Sequence, residues 1–329
     1  AISPPALGQR RAHCAGGGMS APAWSSWLPP ESLALLAAAT WATASLFSAA
    51  ASARMGAFAF TRWRMVFAAL LLWGMALATG QWRSLWSDGG SAAWQAIGLL
   101  VLSGVIGIFV GDTALFACMN RLGPRRSGLL FATHSLFTVV LAALFLDESL
   151  KGWAVPGGVL LVGGVMAAIA LGRREGAAHR LEATQGQLAA GVALGLLSAL
   201  GQSVGTLVLK PAMAAGLDSV AASAVRMTAG FACHALLWCT GLQMARVQSA
   251  LQWRDLAYTF ASAALAMALG MTLILKALQH GSAGLVGMLS SVSPVLLLPL
   301  LWWRTGQRPA WGAWLGAAMA VVGCALILA

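Results

Sequence analysis

The residues best suited to chemistry in this sequence are ionisable side chains placed inside long apolar stretches. Asp112 is the only acid well inside such a stretch, and Arg64, Arg226, His134 and His234 lie within others. An ionisable group is unfavourable in hydrocarbon, so each of the five is a candidate functional residue. A buried carboxyl can load and release a proton, an arginine can hold an anionic group, and a neutral imidazole can form a hydrogen bond or relay a proton.

Each of these candidates also has a structural interpretation. Asp112 could be a coupling site for a proton or another cation, or a structural partner of Arg62 or Arg64 on the neighbouring stretch. Arg64 and Arg226 could bind an anionic ligand group, or they could extend their long side chains to the nearest membrane interface. His234 could bind a ligand or simply pack. The sequence leaves these alternatives open.

The elements that must position these residues are long apolar helices. Of the 329 residues, 59% are hydrophobic and 9% are charged, and the mean hydropathy is +0.80, which is more apolar surface than a soluble core can bury. The apolar stretches are about 20 residues long, the length at which a helix crosses a bilayer. The predicted spans, ten in all, are residues 33–51, 58–79, 94–118, 127–146, 153–171, 188–209, 219–241, 256–277, 282–302 and 310–328.

The polar breaks between these apolar stretches divide the chain into a tail, two halves and a linker. Residues 1–30, rich in Pro, Gly and Ser, are expected to be a disordered tail. Residues 31–172 and 188–329 each hold five spans, and residues 173–187 form a linker. The lipid bilayer is therefore the expected surrounding of both halves.

An internal repeat relates the two halves. Laying residue 111 on residue 270, an offset of 159, aligns them without gaps and places Gly111, Gly128, Gly157 and Gly164 on Gly270, Gly287, Gly316 and Gly323. Arg64 lies on Arg226 at an offset of 162. Because five spans is an odd number, the second half must enter the membrane from the opposite face. We therefore predict an all-α membrane protein of ten transmembrane helices built as two inverted five-helix repeats, as in many secondary transporters.

The distribution of basic residues predicts the orientation. Most arginines lie in loops on the face opposite the termini, whereas the face of the termini carries Arg83, Lys151 and Lys210 beside Arg10 and Arg11. By the positive-inside rule, the arginine-rich loops are cytoplasmic and both termini lie outside, which suits a bacterial inner-membrane protein. The arginines are scattered rather than clustered, so no nucleic-acid partner is expected.

Other polar residues lie at similar depth. His134 aligns with Ser293, which stands beside Pro294, and we favour a functional role for His134 over simple packing. Pro294 interrupts the ninth span, where a broken helix would free backbone carbonyls toward a cavity, unless the proline only kinks the helix. Gln202 and Trp41 could line a cavity, or they could bridge and pack helices.

Motifs for catalysis and for metal binding are absent from the sequence. It has no zinc-ligand spacing, P-loop, GxSxG or HExxH, so we expect no metal, no cofactor and no enzymatic activity. The cysteines form no C-x-x-C pair and are assigned no chemistry. Asp147 and Glu148 are the only adjacent carboxylates, on a predicted loop.

Several segments resemble the paired EamA domains of the drug/metabolite transporter superfamily. Trp41, Arg64 and the stretch that begins GDTALFACMNRLGPRRSG are similar to the family's first three spans and the hairpin that follows, and the stretch that begins GMTLILKALQHGSAG repeats the pattern. The resemblance covers residues 32–329. It implies a ten-helix inverted-repeat fold with a central cavity, and export or exchange of amino acids, related metabolites or drugs by proton coupling or antiport. Ser135 and Gln307 replace a Pro and a Glu of the family pattern.

These features together predict a secondary transporter of small metabolites, such as amino acids or related compounds. Asp112, His134, Arg64 and Arg226 would surround or support its central cavity, and a proton or a counter-substrate would be the coupling species. The alternative is a non-transporting membrane scaffold or partner subunit, because glycine-rich helix faces serve helix association equally well.

Overall fold

A computed structural model of the chain describes residues 28–87, 89–148, 152–171, 187–305 and 309–328. Most of the predicted tail (1–30) and of the predicted linker (173–187) lies outside these ranges. Within them, the regular secondary structure is helical throughout.

The described part of the first half begins with two long helices joined at Gly56. In chain order its helices are α1 (Pro30–Met55), α2 (Ala57–Thr79), α3 (Gly90–Ser103), a π-helical segment here called π1 (Gly104–Asp112), α4 (Thr113–Ala132), α5 (His134–Phe145) and α6 (Ala154–Leu171). Helix α3, π1 and the first part of α4 form one rod, which ends at Gly123. The φ angle of Gly123 is 82°, a conformation that favours glycine, and it turns the chain back at the predicted hairpin.

The second half repeats this order of elements, except that α4, which bends at Gly123, corresponds to two separate helices. Its helices are α7 (Leu188–Ala214), α8 (Ser219–Cys239), α9 (Trp253–Ser262), the π-helical segment π2 (Ala263–Gly270), α10 (Met271–His280), α11 (Ala283–Ser290), α12 (Ser293–Thr305) and α13 (Trp311–Leu328). At the offset of 159, π1 falls on π2, and the break at Thr133 between α4 and α5 falls on the break at Val292 between α11 and α12. The repeat found in the sequence is therefore also present in the backbone.

Local sequence signals fix the start of two helices in the second half. The Asp218 carboxylate accepts hydrogen bonds from the backbone N–H groups of Val220 and Ala221, at 2.9 and 3.0 Å, and so caps α8. Ser282 caps α11 through the N–H of Leu285, at 3.3 Å. These caps satisfy donors that a helix cannot pair internally.

The helices have the length and surface of membrane spans. Within the described residues, eight are long and apolar enough to cross a bilayer; α6 and α13 carry shorter apolar segments, Ala154–Ala168 and Trp311–Ile327. Large apolar side chains face outward: Phe145 is 73% exposed, Val159 70% and Leu236 69%. Such a surface, on helices of this length, is typical of a protein that spans a membrane. The prediction of an all-helical, multi-pass membrane protein is confirmed, and the exact number of ten spans stays a prediction.

Helices α6 and α13, which are equivalent in the repeat, pack closely through glycine. A Cβ atom on Gly157 would lie 2.9 Å from the Gly323 carbonyl oxygen, and one on Gly164 would lie 2.7 Å from that of Gly316. The glycines therefore let the two backbones approach each other. Because the contact runs from 157 with 323 to 164 with 316, the two helices are antiparallel.

Polar groups join the two halves at one end of the bundle. Lys210 Nζ on α7 donates to the carbonyl oxygens of Leu278, at 2.9 Å, and of Gly281, and it lies 3.9 Å from Glu148 Oε1. The other oxygen of Glu148 accepts from the Ala283 N–H at 2.7 Å. Glu148 thus holds the loop after α5 against the start of α11, which is a structural use of this carboxylate.

Candidate functional site

The centre of the candidate site is an ion pair between Arg64 on α2 and Asp112, the last residue of π1. Arg64 Nη1 lies 3.1 Å from Asp112 Oδ2, and the two side chains are only 6% and 7% exposed. The Arg64 guanidinium also lies over the ring of Phe116, at 5.1 Å, and near that of Phe60, at 5.9 Å. Aromatic faces favour a cation at this distance, so the arginine is held on several sides.

Arg62, the other partner considered for Asp112, contacts different groups. Its Nη1 donates to the Ala245 carbonyl oxygen at 2.8 Å, and its guanidinium lies 5.1 Å over the ring of Trp238. Asp112 therefore pairs with Arg64. This pairing is compatible with both a structural and a coupling role for the carboxylate.

A second arginine, Arg226 on α8, is close enough to interact with Asp112 electrostatically. Arg226 is 1% exposed, and its Nε and Nη1 have no hydrogen-bond partner among the described residues. Gln202 on α7 has an equally buried and unpaired Oε1. Both side chains border Gly107 of π1, where an added Cβ would lie 3.3 Å from Arg226 Nη2 and 3.7 Å from Gln202 Oε1. The unpaired donors and acceptor mark a place where polar binding capacity is unused.

These residues are positioned by π1. A π-helical turn is rare and often occurs at functional sites, because it displaces side chains from their α-helical positions. Here Gly107 lies between Arg226 and Gln202, and Asp112 ends the same segment beside Arg64. The segment therefore connects the two arginines.

The equivalent segment π2 has a different neighbour. Trp41 Nε1 on α1 donates to the Ala266 carbonyl oxygen of π2 at 3.0 Å, and the indole lies against Gly270. The Trp41 indole of the first half therefore contacts π2 of the second half, just as Gln202 of the second half borders π1 of the first half.

We expect Trp41→Phe to lower the free energy of unfolding by about 1 kcal/mol or more, because a smaller aromatic ring replaces the indole and the hydrogen bond to Ala266 is lost. Denaturant unfolding of the purified protein measures this change. Trp303→Phe is the control, since Trp303 is 85% exposed. Equal effects of the two substitutions would contradict the structural role of the indole hydrogen bond.

His234 lies next to the ion pair but is already satisfied. Its Nε2 is 3.0 Å from the Oγ1 of Thr113, the residue that follows Asp112. The imidazole packs edge-on against Phe58 and Phe109. This geometry fits a packing histidine near the site.

The structure places the other predicted site residues elsewhere. His134 begins α5, stacks on Phe131 at 4.9 Å and has an unpaired Nδ1 within the described residues, while its carbonyl accepts from Ser203 Oγ at 2.7 Å. Ser293 and Pro294 begin α12, which packs mainly on α1. No hydrogen bond of the described residues joins these three to the ion pair.

Sequence reasoning missed Thr113 and Gly107 as contacts of the site, and Ser203 as the contact of His134. Thr113 was visible only as a threonine matched by Thr272 in the repeat, and Gly107 as one end of a small-residue spacing with Gly111. Ser203 gave no signal, because a serine in an apolar helix most often bonds within its own helix.

These features define a class of protein: a multi-pass helical membrane protein whose two repeated halves both contribute to a buried charged cluster. The family model described as "EamA-like transporter family" matches residues 28–170 and 189–329, so the chain belongs to that family. The resemblance read from the sequence is confirmed. The protein is accordingly a membrane transporter of the drug/metabolite type rather than a member of an enzyme family.

Comparison with solved structures agrees on the fold. A crystal structure superposes with a TM-score of 0.70, covering 90% of this chain and 95% of the other at 19% sequence identity. This likeness concerns the fold alone. No curated protein sequence matches the chain.

Proposed function

We propose that the chain is a secondary transporter that exports or exchanges small metabolites, such as amino acids or related compounds, by alternating access around a central cavity. The observation that carries this proposal is the buried cluster of Arg64, Asp112 and Arg226, with charges from both halves, in a member of a transporter family. Ionisable groups inside membrane spans characteristically mark substrate and ion pathways.

The proposed architecture is ten transmembrane helices in two inverted repeats, residues 31–172 and 188–329, in a bacterial inner membrane with the arginine-rich loops in the cytoplasm. Its support is that α6 and α13, which are equivalent in the repeat, run antiparallel. Both halves also carry a π-helical segment and a helix break at matching positions. Two similar, inverted halves can exchange conformations and so open one site to either side in turn.

The proposed coupling species is a proton that binds Asp112. Protonation of Asp112 would remove the negative charge that holds Arg64, so the ion pair would open. The guanidinium could then change partner as the site changes its access. The remaining proposed binding or coupling residues are His134, Trp41, Gln202, His234, Ser293 and Pro294.

The test is a transport measurement with the full-length protein in proteoliposomes. Vesicles are offered a mixed metabolite extract, and mass spectrometry identifies what accumulates only when protein is present, with and without a pH gradient. We expect at least one metabolite to accumulate, and to a greater extent with the gradient. If verified folded protein accumulates nothing, the scaffold or partner-subunit function replaces transport.

The role of the cluster is tested by the double variant Arg64→Gln/Asp112→Asn, which removes both charges together. We expect it to lose the dependence of transport on the pH gradient. The matched control is Arg54→Gln/Asp255→Asn, another arginine–aspartate pair, with a nitrogen–oxygen distance of 3.1 Å, in which the Arg54 side chain is 45% exposed. Gradient dependence that survives in the first variant would remove Asp112 from the coupling mechanism.

A further inference from the structure

The two equivalent arginines have unequal surroundings. Arg64 pairs with Asp112, the last residue of π1. At the offset of 159, the residue that corresponds to Asp112 is Met271, which follows π2 directly. The second half therefore has an arginine, Arg226, but lacks the acid that accompanies its counterpart.

The helices of the second half still pack at the level where that acid would lie. Thr272 Oγ1 is 3.4 Å from Ser223 Oγ, so α10 meets α8 one turn before Arg226. Met271 itself is 2% exposed and sits in the apolar core with Met227. A carboxylate at position 271 would thus enter a buried site beside α8, the helix that carries Arg226.

The charges of the cluster do not balance among the residues that the structure describes. Arg64 and Arg226 carry two positive charges, and Asp112, which pairs directly with Arg64, carries one negative charge. Arg226 is 1% exposed, so water does not screen its charge, and two of its nitrogens have no partner among the described residues. A buried guanidinium in this state has the capacity to bind an anion from outside the chain.

The unpaired acceptor beside Arg226 adds a second constraint. Gln202 Oε1 needs a hydrogen-bond donor, and it borders the same glycine, Gly107, as Arg226 Nη2. A ligand that satisfies both groups would carry an anionic oxygen and, a few ångströms away, an N–H or O–H donor.

We propose that Arg226 is the anion-binding residue of the transport site and that a carboxylate of the substrate supplies the negative charge that the second half lacks, since position 271 is a methionine. Gln202 accepts a hydrogen bond from a donor on the same ligand. The substrate class is then a small carboxylate with a neighbouring amino or hydroxyl group. This assignment rests on the proposed transport function and specifies which of the two arginines holds the substrate.

The test compares carboxylates with their amide isosteres as ligands of the purified full-length protein. Thermal unfolding is followed by tryptophan fluorescence at constant ionic strength with acetate, glycine or lactate, and with acetamide, glycinamide or lactamide. A ligand that binds the native state raises the melting temperature, and the rise grows with the logarithm of the ligand concentration once that exceeds the dissociation constant. We expect the melting temperature to rise with glycine and lactate, less with acetate, and not with the amides.

Two substitutions at one position provide the matched variants. Met271→Glu supplies an internal carboxylate and is expected to abolish the rise that glycine and lactate cause. Met271→Gln has nearly the same size without the charge and is expected to retain it. Arg226→Gln should also abolish the rise in melting temperature. If that variant does not fold, the comparison of Met271→Glu with Met271→Gln still tests the proposal.

Several results would overturn the assignment. One is an equal shift of the melting temperature with carboxylates and amides, or no shift with any carboxylate. Another is the same response in Met271→Glu and Met271→Gln. A third is a shift with chloride or phosphate as large as that with the carboxylates. Transport of some metabolite without carboxylate-specific binding would overturn this inference and leave the transport function standing. Carboxylate binding at Arg226 without any transport would overturn the transport function instead.

Discussion

Asp112→Ala alone is expected to lower the free energy of unfolding by about 3–5 kcal/mol, because it leaves a buried arginine without its counter-charge. The Arg64 side chain is only 6% exposed, so water cannot replace the lost carboxylate. The positive charge of Arg226 nearby adds repulsion once Asp112 is gone. Denaturant unfolding of the protein in detergent or nanodiscs measures the loss.

Removing both members of the pair separates the ion pair from general packing effects. We expect Arg64→Met/Asp112→Ala to recover much of the stability, because no unpaired Arg64 charge remains. Asp255→Ala is the control: its partner, Arg54, is 45% exposed, so the loss should be about 1 kcal/mol or less. A single Asp112 variant as stable as the parent would show that Arg64 finds another partner.

Gly164→Ala is expected to have the second large effect, lowering the free energy of unfolding by about 1–3 kcal/mol. Its new Cβ would lie 2.7 Å from the Gly316 carbonyl oxygen and 2.5 Å from the Ala320 nitrogen, both of them backbone atoms. Backbone cannot move aside as a side chain can, so α6 and α13 would have to separate. The midpoint of denaturant unfolding measures the change.

The adjacent glycine provides the control for this prediction. A Cβ on Gly163 would meet nothing within 4 Å, so Gly163→Ala should be neutral or stabilise the helix by about 0.5–1 kcal/mol. If the two substitutions destabilise the protein equally, close approach of α6 and α13 does not explain the glycine at position 164.

The helices themselves could be predicted from the sequence. The predicted spans 219–241 and 310–328 agree with Ser219–Cys239 and Trp311–Leu328 to within two residues at each end. Apolar runs and their polar breaks are local signals, and the bilayer imposes a narrow range of lengths on them. Four of the glycines that repeat between the halves likewise lie where α6 and α13 meet, namely Gly157, Gly164, Gly316 and Gly323.

The contacts within the site could be predicted only in part. Nothing in the local pattern separates a π-helical turn from an α-helical one, so the position of Asp112 relative to Arg62 and Arg64 could not be derived. The direction of a side chain around a helix axis depends on how that helix is rotated against its neighbours. For the same reason, the hydrogen bond between His234 and Thr113 could not be predicted from the sequence.

The glycine contacts between α6 and α13 have a further property. Exchanging the halves at the offset of 159 turns the Gly157–Gly323 contact into the Gly316–Gly164 contact, which is also present. Each half therefore presents a face that matches its own copy, which is the condition for a symmetric homodimer. The α6–α13 contact follows that isologous pattern within one polypeptide, each helix presenting its two glycines to the equivalent glycines of the other.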